Sequence, residues 1–318
     1  MNTTGYEALR THAAWIDLSR RGKILAAGED NARLLHAMTT NHVQQLAEGE
    51  GLYAFFLNAQ GRIIADVNLF RTGNIFLLDT EPGLGQKLYE HLDNFIIADD
   101  VTLENQTEAL ATIGLEGPDA EEVLPDLGSP VPAGAHGIVA WGHGYVVRAA
   151  TTGPIGFFLI VPADEKAALL DKLESAAVPE ATAEAAEAVR LENHKPRYDA
   201  DIDETLIPHE TQQLQALHFS KGCYLGQEIV ERVRSRGHLN KMLVPLVIET
   251  AEPVERDTRV MMAGKDVGRI TSAAFSPADQ KTNAFAVVRV EAATAGATLT
   301  VNDAPASPIA VPALASKC

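Results

Sequence analysis

Cysteine is nearly absent from this chain: among 318 residues only Cys223 and Cys318 occur. Two thiols make no disulfide framework, and they are too few for one chain to hold an iron–sulfur cluster. No apolar run approaches the ~18 residues that would cross a bilayer. The N-terminal stretch MNTTGYEALRTHAAW has no basic segment leading into an apolar one, so no secretory leader is expected. Cytoplasmic residence without a membrane partner is the expectation. Positive charge is also scarce: 26 Lys and Arg stand against 43 Asp and Glu, a net charge of −17. Such a surface repels phosphate backbones at long range, which argues against a nucleic-acid partner. The GxxxxGK[ST] phosphate loop, a GxGxxG turn between strand and helix, HExxH, CxxC, the EF-hand loop and the GxSxG elbow are all missing. Nucleotide-binding, zinc and serine-hydrolase chemistries therefore lack their sequence signals. The ten histidines are scattered, and no metal site is expected.

What is present reads as an ordinary globular chain, 46% hydrophobic and 22% charged, long enough for two or three packed subdomains. Gly22 to Ala27 reads as a strand, followed by a helix capped by Asp30 and carrying Leu34, Leu35 and Met38. Leu52 to Leu57 and Arg62 to Phe70 are β-rich runs joined by Asn58-Ala59-Gln60-Gly61, a hairpin signal. Asn74 to Thr80 continues the sheet, and Leu84 to Ile97 reads as a helix. A second cycle has strands at Leu110 to Leu115, Gly137 to Trp141, Tyr145 to Ala149 and Gly156 to Val161. Its helices are a short one started by Gly117-Pro118 and one over Asp164 to Ala176 capped by Asp164. Thr182 caps a further helix ending in Arg190-Leu191-Glu192. After Lys241 the pattern changes to short strands between Gly, Pro and Asp turns: Leu243–Ile248, Thr258–Met262, Val267–Ala273, Ala284–Val290 and Ala297–Val301. That spacing predicts a small β-barrel. The tail from Pro305 is an edge strand or frayed. The expected organisation is α+β, with residues 1–240 forming two subdomains and 241–318 the barrel.

The segment from Lys221 to Glu228 holds Cys223, with a lysine two residues before it, and runs into Ile229 to Lys241, whose apolar residues have helical spacing. Glu228 and Arg232 form a favourable helix pair. A cysteine near a helix start, beside an ammonium, is favoured as thiolate; the plainer alternative is a small buried thiol packed beside a glycine turn. Between Lys221 and Lys241 there are five Lys or Arg and two Glu, and His194, Lys195 and Arg197 make a second basic spot. These read either as solvated faces or as a local anion site.

The run Lys221-Gly222-Cys223-Tyr224-Leu225-Gly226-Gln227-Glu228 resembles the signature of the YgfZ-type folate-binding proteins, relatives of the glycine-cleavage T-protein that assist iron–sulfur enzymes. Three further segments are similar to that superfamily. Tyr53 to Asp66 resembles a T-protein hairpin ending in Gly-Gly-Ile-x-Asp-Asp, with Asp66 on the second aspartate and Ala65 in place of the first. Val189-Arg190-Leu191-Glu192, then Tyr198 to Glu204 and Pro208, resembles the Arg-Leu-Glu-Ala-Gly segment and its sequel, departing at Asn193 and His194. Gly268-Arg269-Ile270-Thr271-Ser272 with Ser276-Pro277 resembles a strand-turn of the family barrel, and Asp17-Leu18-Ser19 resembles its opening word.

The resemblance implies a T-protein-like fold around a tetrahydrofolate pocket. Tyr53, Asp66, Glu192 and Arg232 would be binding residues, and Cys223, Lys221 and Asp66 working groups. A carboxylate suits the donor edge of a reduced pterin, and an aromatic ring suits its face. Two functions follow from it. One is folate binding in support of iron–sulfur cluster assembly or repair, with iron–sulfur enzymes or their assembly factors as partners. The other is aminomethyl transfer from a lipoyl carrier protein to tetrahydrofolate. The thiol favours the first, since the transferase needs none at that position.

Overall fold

Phe55, Phe56 and Leu57 end β3 (Gly51–Leu57) as consecutive apolar side chains, and all are fully buried. A strand hides neighbouring side chains only when both faces of its sheet are covered. That requirement organises the N-terminal part of this computed structural model, which describes residues 3–309 apart from His238 and Ala295. Strand β3 pairs with β4 (Ile63–Thr72), and the sheet continues through β5 (Ile75–Thr80), β2 (Gly22–Ala27) and β6 (Thr102–Asn105). Helices α2 (Asn31–Met38) and α3 (Leu84–Asp93) cover one face, burying Leu34, Leu35, Leu88 and Leu92 against it.

The other face meets a second five-stranded sheet, ordered β1 (Ala14–Asp17), β7 (Leu110–Glu116), β10 (Gly156–Pro162), β9 (Gly144–Val147) and β8 (Ile138–Trp141). Phe70 and Leu77 from the first sheet interlock with Ile138, Val147, Phe158 and Ile160 from the second. Helices α4 (Ala120–Val123) and α5 (Lys166–Ser175) close its outer side.

From Lys241 onward a closed barrel forms in the order β11 (Lys241–Ile248), β14 (Lys281–Arg289), β13 (Lys265–Ser276), β12 (Arg259–Met262), β15 (Leu299–Val301) and β16 (Ala304–Pro308). The expected edge strand at Pro305 is the closing strand: β16 pairs with both β15 and β11, so no edge is left open. Helices α1 (Thr3–Thr11) and α6 (Ala183–Glu192) pack together, and α6 lies against β13. Neither α1, β1 nor β6 was anticipated from sequence.

Local chemistry explains where elements start and stop. In the β3–β4 turn, Asn58 Oδ1 accepts from the backbone N–H groups of Gln60 and Arg62, each at 3.0 Å, and Gly61 takes a positive φ of 70°. Thr182 Oγ1 accepts from the Ala185 N–H and caps α6 as expected. Asp30 precedes α2 without capping it, because its carboxylate serves Arg33 and the Asp100 N–H instead. Asp164 lies inside a 3₁₀ turn, Ala163–Glu165, rather than at the start of α5. Helix α4 begins at Ala120, after Pro118, and α3 ends at Asp93 rather than Ile97. The helix expected to reach Lys241 is α7 (Gln227–Arg236); Gly237, at φ 62°, ends it, and Lys241 opens β11.

Candidate functional site

The β3–β4 register sets Tyr53 opposite Asn68 and Phe55 opposite Asp66, so these side chains share one face. Tyr53, Asp66 and Asn68 line a cavity of about 180 Å³ between the two sheets. Phe158 and the loop Ala149-Ala150-Thr151 come from the second sheet, and Lys195, Arg197, Gln213 and Gln215 from the segment after α6. Asp66 is only 8% exposed. Tyr53 donates its hydroxyl to Asp66 Oδ2 at 2.9 Å, while Oδ1 is buried with no donor. Burial, reinforced by the field of Glu81, pushes the Asp66 carboxyl up to about 7. Burial and Asp66 together hold the Tyr53 phenol well above its ordinary value, so it remains a donor.

A buried charged layer backs this pair. Arg21 donates to both oxygens of Asp79, at 2.8 and 2.7 Å, and to Glu81. Asn68 donates to Asp79 at 2.9 Å. Lys23, fully buried, donates to the backbone oxygens of Ser19 and Arg21; desolvation draws its amine down to about 8. Sequence reasoning missed Arg21, Asp79 and Glu81. The available signal was a charge inside an apolar strand: Asp79 in IFLLDT and Lys23 in GKILAA. Opposite, Glu116 is fully buried and accepts from the N–H and hydroxyl groups of Thr151 and Thr152 at 2.6–2.8 Å, fixing the loop that forms one cavity wall.

Four expected site residues lie elsewhere. Glu192 ends α6 facing α1, where Tyr6 donates to it at 2.6 Å and Arg10 pairs with it at 3.0 Å. It borders a different cavity and does not line the one beside Asp66. Lys221 is buried and its ammonium points away from solvent, donating to the backbone oxygens of His36, Thr39 and Asn41. It thereby closes the C-terminal end of α2, a negative dipole end that suits a cation, although desolvation draws its amine down to about 7. Cys223 is exposed, so the buried-thiol alternative does not hold, and it precedes the first residue of α7 by four positions. Neither Cys223 nor the exposed Arg232 lines the cavity. Among the described residues no three His, Cys, Asp or Glu side chains are placed to hold a metal ion, and no helix is long and apolar enough to cross a membrane.

The segments that drew attention to Glu192 build a junction instead. Arg190, almost fully buried, donates to Asp201 at 2.6 Å, to Glu187 and to Ser272 Oγ on β13. Asp201 also accepts from Thr271 and Ser272, at 2.7 and 2.5 Å. Helix α6, the 197–203 turn and the barrel thus meet on one ion pair.

Two sheets joined across a cavity that holds Asp66, with a barrel clamped against α6, define a class of protein. The chain superposes with TM-score 0.90 on the glycine cleavage system aminomethyltransferase T from Bartonella henselae, covering 98% of this chain and 89% of that one at 21% identity, a likeness of fold. Residues 3–221 match the GCVT N-terminal domain and residues 241–312 the glycine cleavage T-protein C-terminal barrel domain. This chain belongs to the glycine-cleavage T-protein family. An aminomethyltransferase of Rubrobacter xylanophilus is 30% identical over 279 residues, 86% of this chain and 75% of that protein. One of a Picosynechococcus species is 26% identical over 306 residues, 93% and 84% of the two chains. A putative chloroplastic transferase of Arabidopsis thaliana is 26% identical over 297 residues, 91% and 68%.

Proposed function

We propose that this protein binds a tetrahydrofolate in the Asp66 cavity and, with Cys223 as its working thiol, assists assembly or repair of iron–sulfur clusters in other cytoplasmic enzymes. The observation that carries the binding half is Asp66 Oδ1, a buried acceptor lacking a donor beside the Tyr53 ring. An unsatisfied buried acceptor costs about 1–3 kcal/mol, and a ligand N–H would recover it. A reduced pterin offers N–H donors along the edge of a flat ring, which suits this wall. Asp66 and Tyr53 would hold that ring, and the folate would supply a reduced-ring nitrogen able to carry a one-carbon unit. The iron–sulfur half is supported by the resemblance of residues 221–228 and by the exposure of Cys223, which leaves the thiol open to a partner protein.

A second reading, aminomethyl transfer from a lipoyl carrier to tetrahydrofolate, is favoured by the relatives named aminomethyltransferase. There Asp66 would orient the folate and the thiol would be idle. Calorimetry with tetrahydrofolate tests the shared half: wild type should bind, and Asp66→Asn should bind at least about ten-fold more weakly. Cys223→Ser then separates the two readings. Loss of complementation in an iron–sulfur maturation mutant, with no glycine-cleavage activity in wild type, supports the first. Glycine cleavage that survives Cys223→Ser supports the second.

A further inference from the structure

Resting on the folate reading above, we infer that Lys195 reads the ring carbonyl of the bound pterin, so that the cavity selects 4-oxo over 4-amino pteridines. Lys195 lines the cavity with Asp66. An ammonium has three N–H donors. Two of them are spent on the backbone oxygens of Ala150 and Gly153, which leaves one. No described carboxylate lies within ion-pair distance of it. Glu116, the acid whose field it feels most, is saturated by Thr151 and Thr152, and Asp79 and Glu81 are held by Arg21. Arg197, the remaining cation on the wall, is paired with Glu187 at 3.2 Å. Lys195 therefore brings to this wall an N–H donor that no described carboxylate claims.

Size decides which part of a folate it meets. A cavity of about 180 Å³ is below the ~300 Å³ at which drug-sized ligands begin to be enclosed, and accommodates one bicyclic ring with the benzoyl-glutamate tail outside. Asp66 and Lys195 then address the same ring, one as acceptor and one as donor. The pyrimidine edge of a pterin carries N–H groups beside a lactam oxygen and matches that pair. Replacing the oxygen by an amino group sets donor against donor, in a place where burial already draws the lysine below its ordinary pKa. Discrimination built on a buried polar partner is far larger than that built on shape alone.

The test compares tetrahydrofolate with its 4-amino-4-deoxy counterpart by calorimetry on the full-length chain. Wild type should prefer the oxo ligand by about ten-fold or more. Lys195→Met should lose most of that preference, by weakening the oxo ligand and sparing the amino one. Because Lys195 also steadies the 149–153 loop, Asn193→Ala is the control: Asn193 donates to Thr152 O at 3.0 Å without lining this cavity, and its loss should shift both ligands equally. Tetrahydropteroate, which has no glutamate, should show the same Lys195→Met loss. An unchanged preference in Lys195→Met, or an equal loss for both ligands, would reduce Lys195 to a loop clamp and overturn the inference. Disappearance of the loss with tetrahydropteroate would assign Lys195 to the tail carboxylate and overturn it too. Wild type binding neither pteridine would instead defeat the folate reading itself.

Discussion

At pH 8 the protein holds Asp66 as an anion in a place that prefers it neutral, and replacing it should reveal that tension. The carboxyl rises from 3.8 to about 7 on folding, equivalent to at most about 4 kcal/mol at ~1.4 kcal/mol per pH unit. An acid whose pKa is higher in the folded state keeps its proton longer there. Between about pH 4 and pH 7 the unfolded chain then binds fewer protons, and stability falls as pH rises. The penalty is absent below pH 4 and complete above pH 7. The amide introduced by Asp66→Asn would still accept from Tyr53 but would never ionise. Asp66→Asn should therefore be more stable than wild type at pH 8, by about 1–4 kcal/mol, and by no more than about 1 kcal/mol at pH 4.5. Urea unfolding from pH 4.5 to 8 measures both curves. Wild type should lose stability across the window relative to the variant, while tetrahydrofolate affinity is weaker in the variant. Parallel pH profiles would refute the reasoning, because they would mean Asp66 titrates alike folded and unfolded.

Three further substitutions probe the rest of the assembly. Glu192→Gln should leave tetrahydrofolate affinity within about two-fold and cost about 1 kcal/mol through its contacts to Tyr6 and Arg10; a large loss of affinity by calorimetry would return Glu192 to the site. Arg190→Met strands Asp201 at the junction with the barrel and should cost about 3–5 kcal/mol in denaturant unfolding; a cost under about 1 kcal/mol would show that Thr271 and Ser272 suffice for Asp201. Lys221→Met leaves the His36, Thr39 and Asn41 oxygens without their donor. It should lower stability by about 1–3 kcal/mol and speed alkylation of Cys223 as its loop loosens; no change in either would remove Lys221 as an anchor.

Periodicity and turn chemistry made much of the fold legible. Asn58 and Gly61 marked the hairpin, Thr182 marked the start of α6, and the change to short strands after Lys241 marked the barrel, because each is decided by residues adjacent in sequence. The pairing of Tyr53 with Asp66 was within reach for the same reason: a short hairpin fixes its own register. Long-range packing decided the rest. Arg190 and Glu192 stand two positions apart on one helix and point ~200° apart around it; which one meets the barrel and which meets α1 depends on how three elements dock on α6. Lys221 was expected beside the thiol, but its acceptors lie 180 to 185 residues away at the end of α2. The charged layer of Arg21, Asp79 and Glu81 joins strands β2 and β5, which are separated by the whole β3–β4 hairpin. Sequence alone marked most of the strands and helices and set Asp66 and Tyr53 on one hairpin. Only the tertiary structure decided which charges are buried, since a charged side chain takes its place from whichever partner can compensate its lost hydration, and those partners are brought close by folding.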